Sequence, residues 1–338
     1  MRVFTFLCVL LVILTFLSLS NGAVSISIVD CVYTILTAVG FDISHPINKI
    51  HQGVLLEIRI PRTILAIMVG AGLSSSGALM QGLFRNPLAD PGLVGISSGA
   101  ALGAALVIVL GWSIPMLEYW TLPIAAFIGS VISTVCVMRL SVMGGKTIVT
   151  NMLLAGIAIN AIAGAGTGLM VYLAEEDQLR DLTFWTLGSF GGAKWIEVQL
   201  ALFTIVLPSC IGLSLSRSLN IMLLGEAQAH MLGVSLERIK KTIVVLVCII
   251  VGSSVSMTGM IGFVGLVVPH LCRMLVGADN RKVLPASIIL GGSLLLASDL
   301  LSRTLIMPAE FPIGIVTSII GGPFFLMLLS MNQKKQVW

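Results

Sequence analysis

The most constraining feature of this chain is a succession of long apolar runs separated by short polar breaks. After a first run that follows Arg2 and ends at Leu19, others lie near 61–81, 92–110, 120–138, 148–172, 195–215, 241–258, 262–276, 283–302 and 312–330. Each approaches the roughly 20 residues that a helix needs to cross a bilayer. Hydrophobic residues make up 57% of the chain and charged residues only 10%, against about a quarter charged in soluble proteins. These features exclude a soluble globular enzyme, a disordered chain and a nucleic-acid-binding domain. With 35 Gly, only three Tyr and unbroken apolar runs, helices are expected rather than a membrane β-barrel. The expected fold is all-α: a polytopic membrane protein of about ten transmembrane helices, forming one domain over 1–338 in contact with membrane lipid.

The first run also has the look of a signal peptide, with Ser18-Leu19-Ser20 as a cleavage site. Its near-span length and the polytopic remainder favour an uncleaved span. An even number of spans puts both termini on one side. With that side cytoplasmic, only Lys49, Arg59, Arg62, Arg180, Lys194 and Arg303 of the 19 Lys and Arg lie outside. The positive-inside rule therefore favours N-in, C-in. It also singles out Arg59, Arg62 and Arg303, which break the trend at span ends. The six cysteines are scattered, form no CxxC, and read as small packing residues.

Ion-coupled carriers usually place ionisable groups within their spans, and here Asp299 is the main candidate. Arg303 lies one helical turn further on, so an i,i+4 ion pair near the outer surface competes with a proton relay. Gly144-Gly145-Lys146-Thr147 ends like a P-loop, but Leu140 stands where GxxxxGK[ST] requires glycine. It reads as a basic cytoplasmic turn. If ATP drives this protein, a separate subunit binds it.

A place for such a subunit is visible in the cytoplasmic connection 217–241. Glu226-Ala227-Gln228-Ala229-His230-Met231-Leu232 is bracketed by Gly225 and Gly233. That pattern predicts a two-turn helix with an acid in its first turn and a glycine stop. Ser235 is placed to cap the next helix. The segment suits either a lever against a cytoplasmic partner or an ordinary loop helix.

Several long motifs resemble one family. In the first half they are Arg59-Ile60-Pro61-Arg62, Gly70, Gly77, Gln81, Arg85-Asn86-Pro87-Leu88-Ala89-Asp90-Pro91-Gly92 and Gly95-Ile96-Ser97-Ser98-Gly99-Ala100. In the second half they are the run from Gly262 to His270 with Arg273, Ser298-Asp299 with Arg303, Glu310-Phe311-Pro312-Ile313-Gly314 and Gly321-Gly322-Pro323. Together they are similar to the permeases of ABC importers for iron chelates and vitamin B12, over about residues 50–330. The resemblance implies a ten-span permease of the bacterial inner membrane that itself catalyses no covalent chemistry. It implies a homodimer, two ATP-binding subunits that hold ATP and Mg, and a periplasmic substrate-binding protein. No cofactor or metal is implied in this chain.

The resemblance also assigns residues. Gly225, Glu226, Ala227, His230, Leu232 and Gly233 match the cytoplasmic coupling helix. Arg59, Arg62 and Arg303 match arginines that pair with acids of the binding protein. On physical grounds Pro61 suits a helix's first turn, and exposed arginines suit carboxylate docking or snorkelling to lipid phosphates. Asn86 and Leu88 match part of a cytoplasmic gate, in a segment that its two prolines must break; Asn86 also suits a simple cap. Gly156, Asn160, Gly164 and Gly168 recur every four residues and suit close helix packing or a path wall. The resemblance places Val149, Thr150 and Asn160 along the translocation path, although the region from Ile148 is more apolar than the polar gate of the B12 importer.

His270 reads as structural rather than as a haem or metal ligand, and His45 and His51, in the outer loop before Arg59, read as ordinary loop residues more readily than as contacts for an iron-bearing substrate. The 173–194 loop is acidic, and Gln178–Trp185 with Gly188 and Ser189 is most similar to the haem-transporting branch. An iron-containing chelate, haemin above others, is the expected cargo, with a ferric siderophore or vitamin B12 as alternatives. An ion-coupled carrier and a non-transporting receptor or scaffold are the readings from other classes.

Overall fold

A computed structural model describes residues 2–38, 40–41 and 48–336. The chain is almost wholly helical. The first helices are α1 (Arg2–Ser20), α2 (Ile28–Ala38), α3 (Lys49–Phe84), α4 (Ile96–Leu110), α5 (Glu118–Leu140), α6 (Val149–Leu173) and α7 (Glu176–Leu187). The rest are α8 (Trp195–Ser214), α9 (Ser216–Met222), α10 (Glu226–Met231), α11 (Leu236–Thr258), α12 (Val264–Val276), α13 (Asn280–Thr304) and α14 (Ile313–Gln336). Seven are long and apolar enough to span a membrane: α1, α3, α5, α6, α8, α11 and α13. The apolar helices α4 and α12, and α14 over Ile313–Met327, occupy the other three expected positions. Among the described residues the strands are β1 (Val142–Met143) and β2 (Lys146–Thr147), an antiparallel hairpin. Its corner residues Gly144 and Gly145 both have positive φ, 59° and 77°, which is the geometry of a tight type I′ turn.

Helix α3 is the hub. It packs along α13 and against α11 and α12, while α1 lies on α13 and α4 packs between α5 and α6. Without a hydrophobic drive between helices in lipid, close backbone approach holds such crossings. A Cβ at Gly77 would stand 1.8 Å from the Gly265 carbonyl oxygen of α12, so only glycine fits there.

Two expectations about element boundaries change. Pro61 was expected in the first turn of a span, but α3 begins twelve residues earlier, at Lys49, and continues through it. A π-helical turn over Val54–Arg59 ends two residues before Pro61. The same arrangement recurs in α8, where a π turn over Leu202–Val206 precedes Pro208. A wide turn tolerates the missing N–H and makes room for the proline ring. The acidic outer segment 173–194 was expected as a loop, yet it contains α7. Its start carries a capping box, the Glu175 carboxylate accepting from the Gln178 N–H while Gln178 accepts from the Glu175 N–H. After α7, the Ser189 N–H donates to the Thr258 carbonyl of α11, and Ile313 at the start of α14 donates to the Gly188 carbonyl.

Candidate functional site

Three regions matter, taken from the end that carries α10 toward the opposite one. The 225–233 segment, expected to couple to an ATPase subunit, folds as its glycines predict. Gly225 and Gly233 have positive φ, 113° and 79°, and α10 lies between them with Leu232 as its C-cap. Ala229 is buried, whereas Ala227, His230, Met231 and Leu232 are exposed, as are Leu223 and Leu224 just before the helix. Ser235 occupies the N-cap position of α11 but makes no side-chain cap bond. Lys240, in the sequence only one of the basic residues assigned to the cytoplasmic side, has a more specific place. Its ammonium, almost fully buried, donates to the Thr147 carbonyl at 2.9 Å and pairs with Glu226 at 2.8 Å and Glu237 at 3.6 Å. The signal was the Glu237–Lys240 i,i+3 spacing in a turn that begins an apolar run.

Next comes the break after α3. Arg85 ends the helix in the left-handed conformation, and the Leu88 N–H donates to the Asn86 side-chain oxygen at 2.9 Å. Asp90 caps a short 3₁₀ turn, Pro91–Val94, by accepting from the Gly92 N–H. Burial pushes the Asp90 carboxyl up, and that N–H counters it. Asn86 and Leu88 are exposed at this end. Helix α6 packs on the same segment. Gly156 meets the Leu93 carbonyl so closely that a Cβ would stand 1.8 Å from it. Asn160 donates to the Gly92 carbonyl at 3.1 Å and accepts from the Ser98 hydroxyl. Gly164 and Gly168 face open space. The small-residue stripe thus packs at Gly156 and Asn160 and leaves a free face at Gly164 and Gly168. Val149 is half-buried and Thr150 exposed in the first turn of α6.

The third region corrects an expectation. Arg59, Arg62 and Arg303 were expected as exposed outer arginines, but their exposures are 4%, 7% and 8%. Arg59 and Arg303 donate to the C-terminal end of α1 and the residues after it, reaching the carbonyls of Ser18, Leu19, Ser20, Asn21 and Val24. Cations favour helix C-termini, where carbonyls lack partners. Arg62 forks between two acids. Its Nε donates to Asp299 at 2.9 Å, and its two Nη groups donate to Glu310 at 2.6 and 3.0 Å. Arg303 pairs with the other Asp299 oxygen at 3.4 Å, so the i,i+4 pair forms inside a larger cluster. Glu310 is its half-exposed member. Burial follows because α1, α3 and α13 converge where all three arginines emerge.

Beside this region, Tyr119, Phe184, Trp185 and Glu197 line an outer cavity of about 380 Å³. Among the described residues, no group of three or more His, Cys, Asp or Glu is placed to hold a metal. All six cysteines are free. His51 is half-buried in the first turns of α3, His270 sits inside α12 with its Nδ1 buried and unpaired, and His45 lies outside the described residues.

Among the described residues, seven helices long and apolar enough to span a membrane, three further apolar helices and one short exposed helix between two of them define a multi-pass membrane protein. The chain belongs to the FecCD transport family, whose pattern matches residues 10–331. It is 45% identical over 333 residues to the hemin transport system permease HmuU of Yersinia pestis, covering 98% of this chain and 96% of that protein. It is 40% identical over 278 residues to the cobalamin import permease BtuC of Halobacterium salinarum, covering 82% and 73%. A solved metal-chelate type ABC transporter in an inward-facing conformation superposes with a TM-score of 0.85 at 33% identity, covering 98% of this chain and 99% of that one. The chain is thus the permease subunit of an ABC importer, which as a class works with ATPase and substrate-binding partners.

Proposed function

We propose that this permease imports an iron-containing chelate across the bacterial inner membrane, with haemin as its cargo. The observation that carries the reading is the near-complete, 45% identity to a haemin permease, against 40% over a smaller share for a cobalamin permease. The aromatic outer cavity at Tyr119, Phe184 and Trp185 supports it, since flat aromatic surfaces suit a planar macrocycle. Both termini and α10 are cytoplasmic, in keeping with the placement of most Lys and Arg.

The free glycine face of α6, flanked by exposed Leu154, Ile157 and Ile162, supports a second copy enclosing the path in a homodimer. Asn86, Leu88, Val149 and Thr150 stand at its cytoplasmic end as the gate. Two ATPase subunits bind ATP and Mg, catalyse hydrolysis and press on α10, whose exposed Met231 and Leu232 would meet them. That motion switches the inner helices between outward- and inward-open states. The chain itself performs no covalent chemistry. The periplasmic binding protein docks over the Arg59, Arg62 and Arg303 cluster, and its carboxylates exchange with Glu310, the cluster's half-exposed acid.

The test is uptake of haemin, a ferric siderophore and cobalamin in a host lacking its own such permeases. The host carries this chain with its ATPase and binding protein. Haemin uptake that vanishes when the ATPase Walker lysine is replaced is the expected result. Uptake of one of the other two instead refutes the cargo and keeps the transporter class. Uptake without the ATPase would favour an ion-coupled carrier, and loss of that uptake on Asp299→Asn would identify its relay.

A further inference from the structure

Lys240 lies on α11, at the cytoplasmic membrane surface, where an ammonium would ordinarily reach water. Instead it is 2% exposed. Taking such a charge out of water costs several kcal/mol, and it is tolerated where its donors find partners. Its partners belong to three different pieces of chain. The Thr147 carbonyl is the last in the β1–β2 hairpin, Glu226 opens the coupling helix α10, and Glu237 shares the first turn of α11. Glu237 in turn accepts the Thr147 N–H at 2.9 Å. Both backbone groups of Thr147 are therefore gripped by this ion cluster, and α6 begins two residues later, at Val149.

Beside the ammonium, α10 and the hairpin are separated rather than packed. A cavity of about 800 Å³ lies there, lined by Lys146, Glu226, His230, Glu237, Arg238 and Lys241. A displacement of α10 therefore has little packed side-chain surface at this point through which to push the hairpin. The short, charge-assisted contacts of Lys240 supply a stiff path where the packing does not.

We propose that Lys240 is a positioning residue for transport: it ties the coupling helix to the cytoplasmic end of the path helix α6. Through Glu226 it follows α10, and through Thr147 it moves the residues that lead into Val149 and Thr150. Rigid elements joined by ionic contacts carry such coupling when each has two arrangements. This inference rests on reading α10 as the ATPase contact and the start of α6 as part of the gate.

The experiment uses the complete transporter in proteoliposomes, with its ATPase subunits and binding protein, and reads haemin taken up per ATP hydrolysed. Lys240→Met keeps the stem and removes the charge. It should lower that ratio about fivefold or more while hydrolysis continues, and Lys240→Arg should restore much of it. Glu226→Gln should lower the ratio less, and the double variant should be no worse than Lys240→Met alone, because the two act through one contact. A purely structural role predicts uptake and hydrolysis falling together, which overturns the link. So does a Lys240→Met ratio within about twofold of the parent. If Lys240→Met does not assemble, Glu226→Gln, half-exposed at its carboxylate, decides the matter, and an unchanged ratio in it refutes the link. Met231→Glu on the exposed side of α10 tests the underlying reading separately. If the ATPase subunits still co-purify with it, α10 is not their contact, whatever Lys240 does.

Discussion

Replacing Arg62 with leucine should cost this protein far more than the loss of a surface arginine. The guanidinium is 7% exposed and forks between Asp299 and Glu310. Asp299 has no exposed surface. Once Arg62 is gone, its remaining cation is Arg303 at 3.4 Å, which is already committed to α1 carbonyls. Breaking a buried pair from one side costs about 3–5 kcal/mol, because an uncompensated charge is left behind. The Glu310 contact adds little, since that carboxylate is 43% exposed and such pairs give about 0–1 kcal/mol. Glu310→Gln alone should therefore be nearly neutral. Adding Asp299→Asn to Arg62→Leu removes the stranded carboxylate and should recover about 2 kcal/mol or more of the loss. The assay is equilibrium unfolding in mixed micelles for Arg62→Leu, Glu310→Gln, Asp299→Asn and the double Arg62→Leu with Asp299→Asn. A cost below about 1 kcal/mol for Arg62→Leu, the range of exposed pairs, would refute the buried cluster.

Other outcomes follow from the same geometry. Gly77→Ala places a methyl carbon 1.8 Å from the Gly265 oxygen. The α3–α12 crossing must open, with a loss of about 1–3 kcal/mol or more seen as a lower melting temperature. Met231→Glu with Leu232→Asp should abolish co-purification of the ATPase subunits at an unchanged melting temperature, since both side chains are exposed. Gly145→Val puts a β-branched residue at φ 77°. It should cost about 1–2 kcal/mol of local strain and speed tryptic cleavage at Lys146.

Legibility in the sequence followed the range of the physics. The apolar runs determined the membrane-spanning helices, because transfer from water to lipid is a property of each segment by itself. Gly225 and Gly233 determined the ends of α10, and the prolines of 85–92 determined a break, because both act through local φ and N–H chemistry. Even Pro61 was legible only in part. It stands in the chain as a helix-start signal, yet α3 runs through it on a π turn held by surrounding helices.

The arginines lay beyond local reasoning altogether. Whether Arg62 meets water or Asp299 depends on a residue 237 positions away, and Arg303 finds its carbonyls on a helix 285 positions earlier. Lys240 likewise looked like one more basic residue at a span end until the fold laid Thr147 and Glu226 against it. Charge and donor number are written in the side chain. Burial is not, because it is set by which distant helices converge on it, and only the tertiary structure decides that.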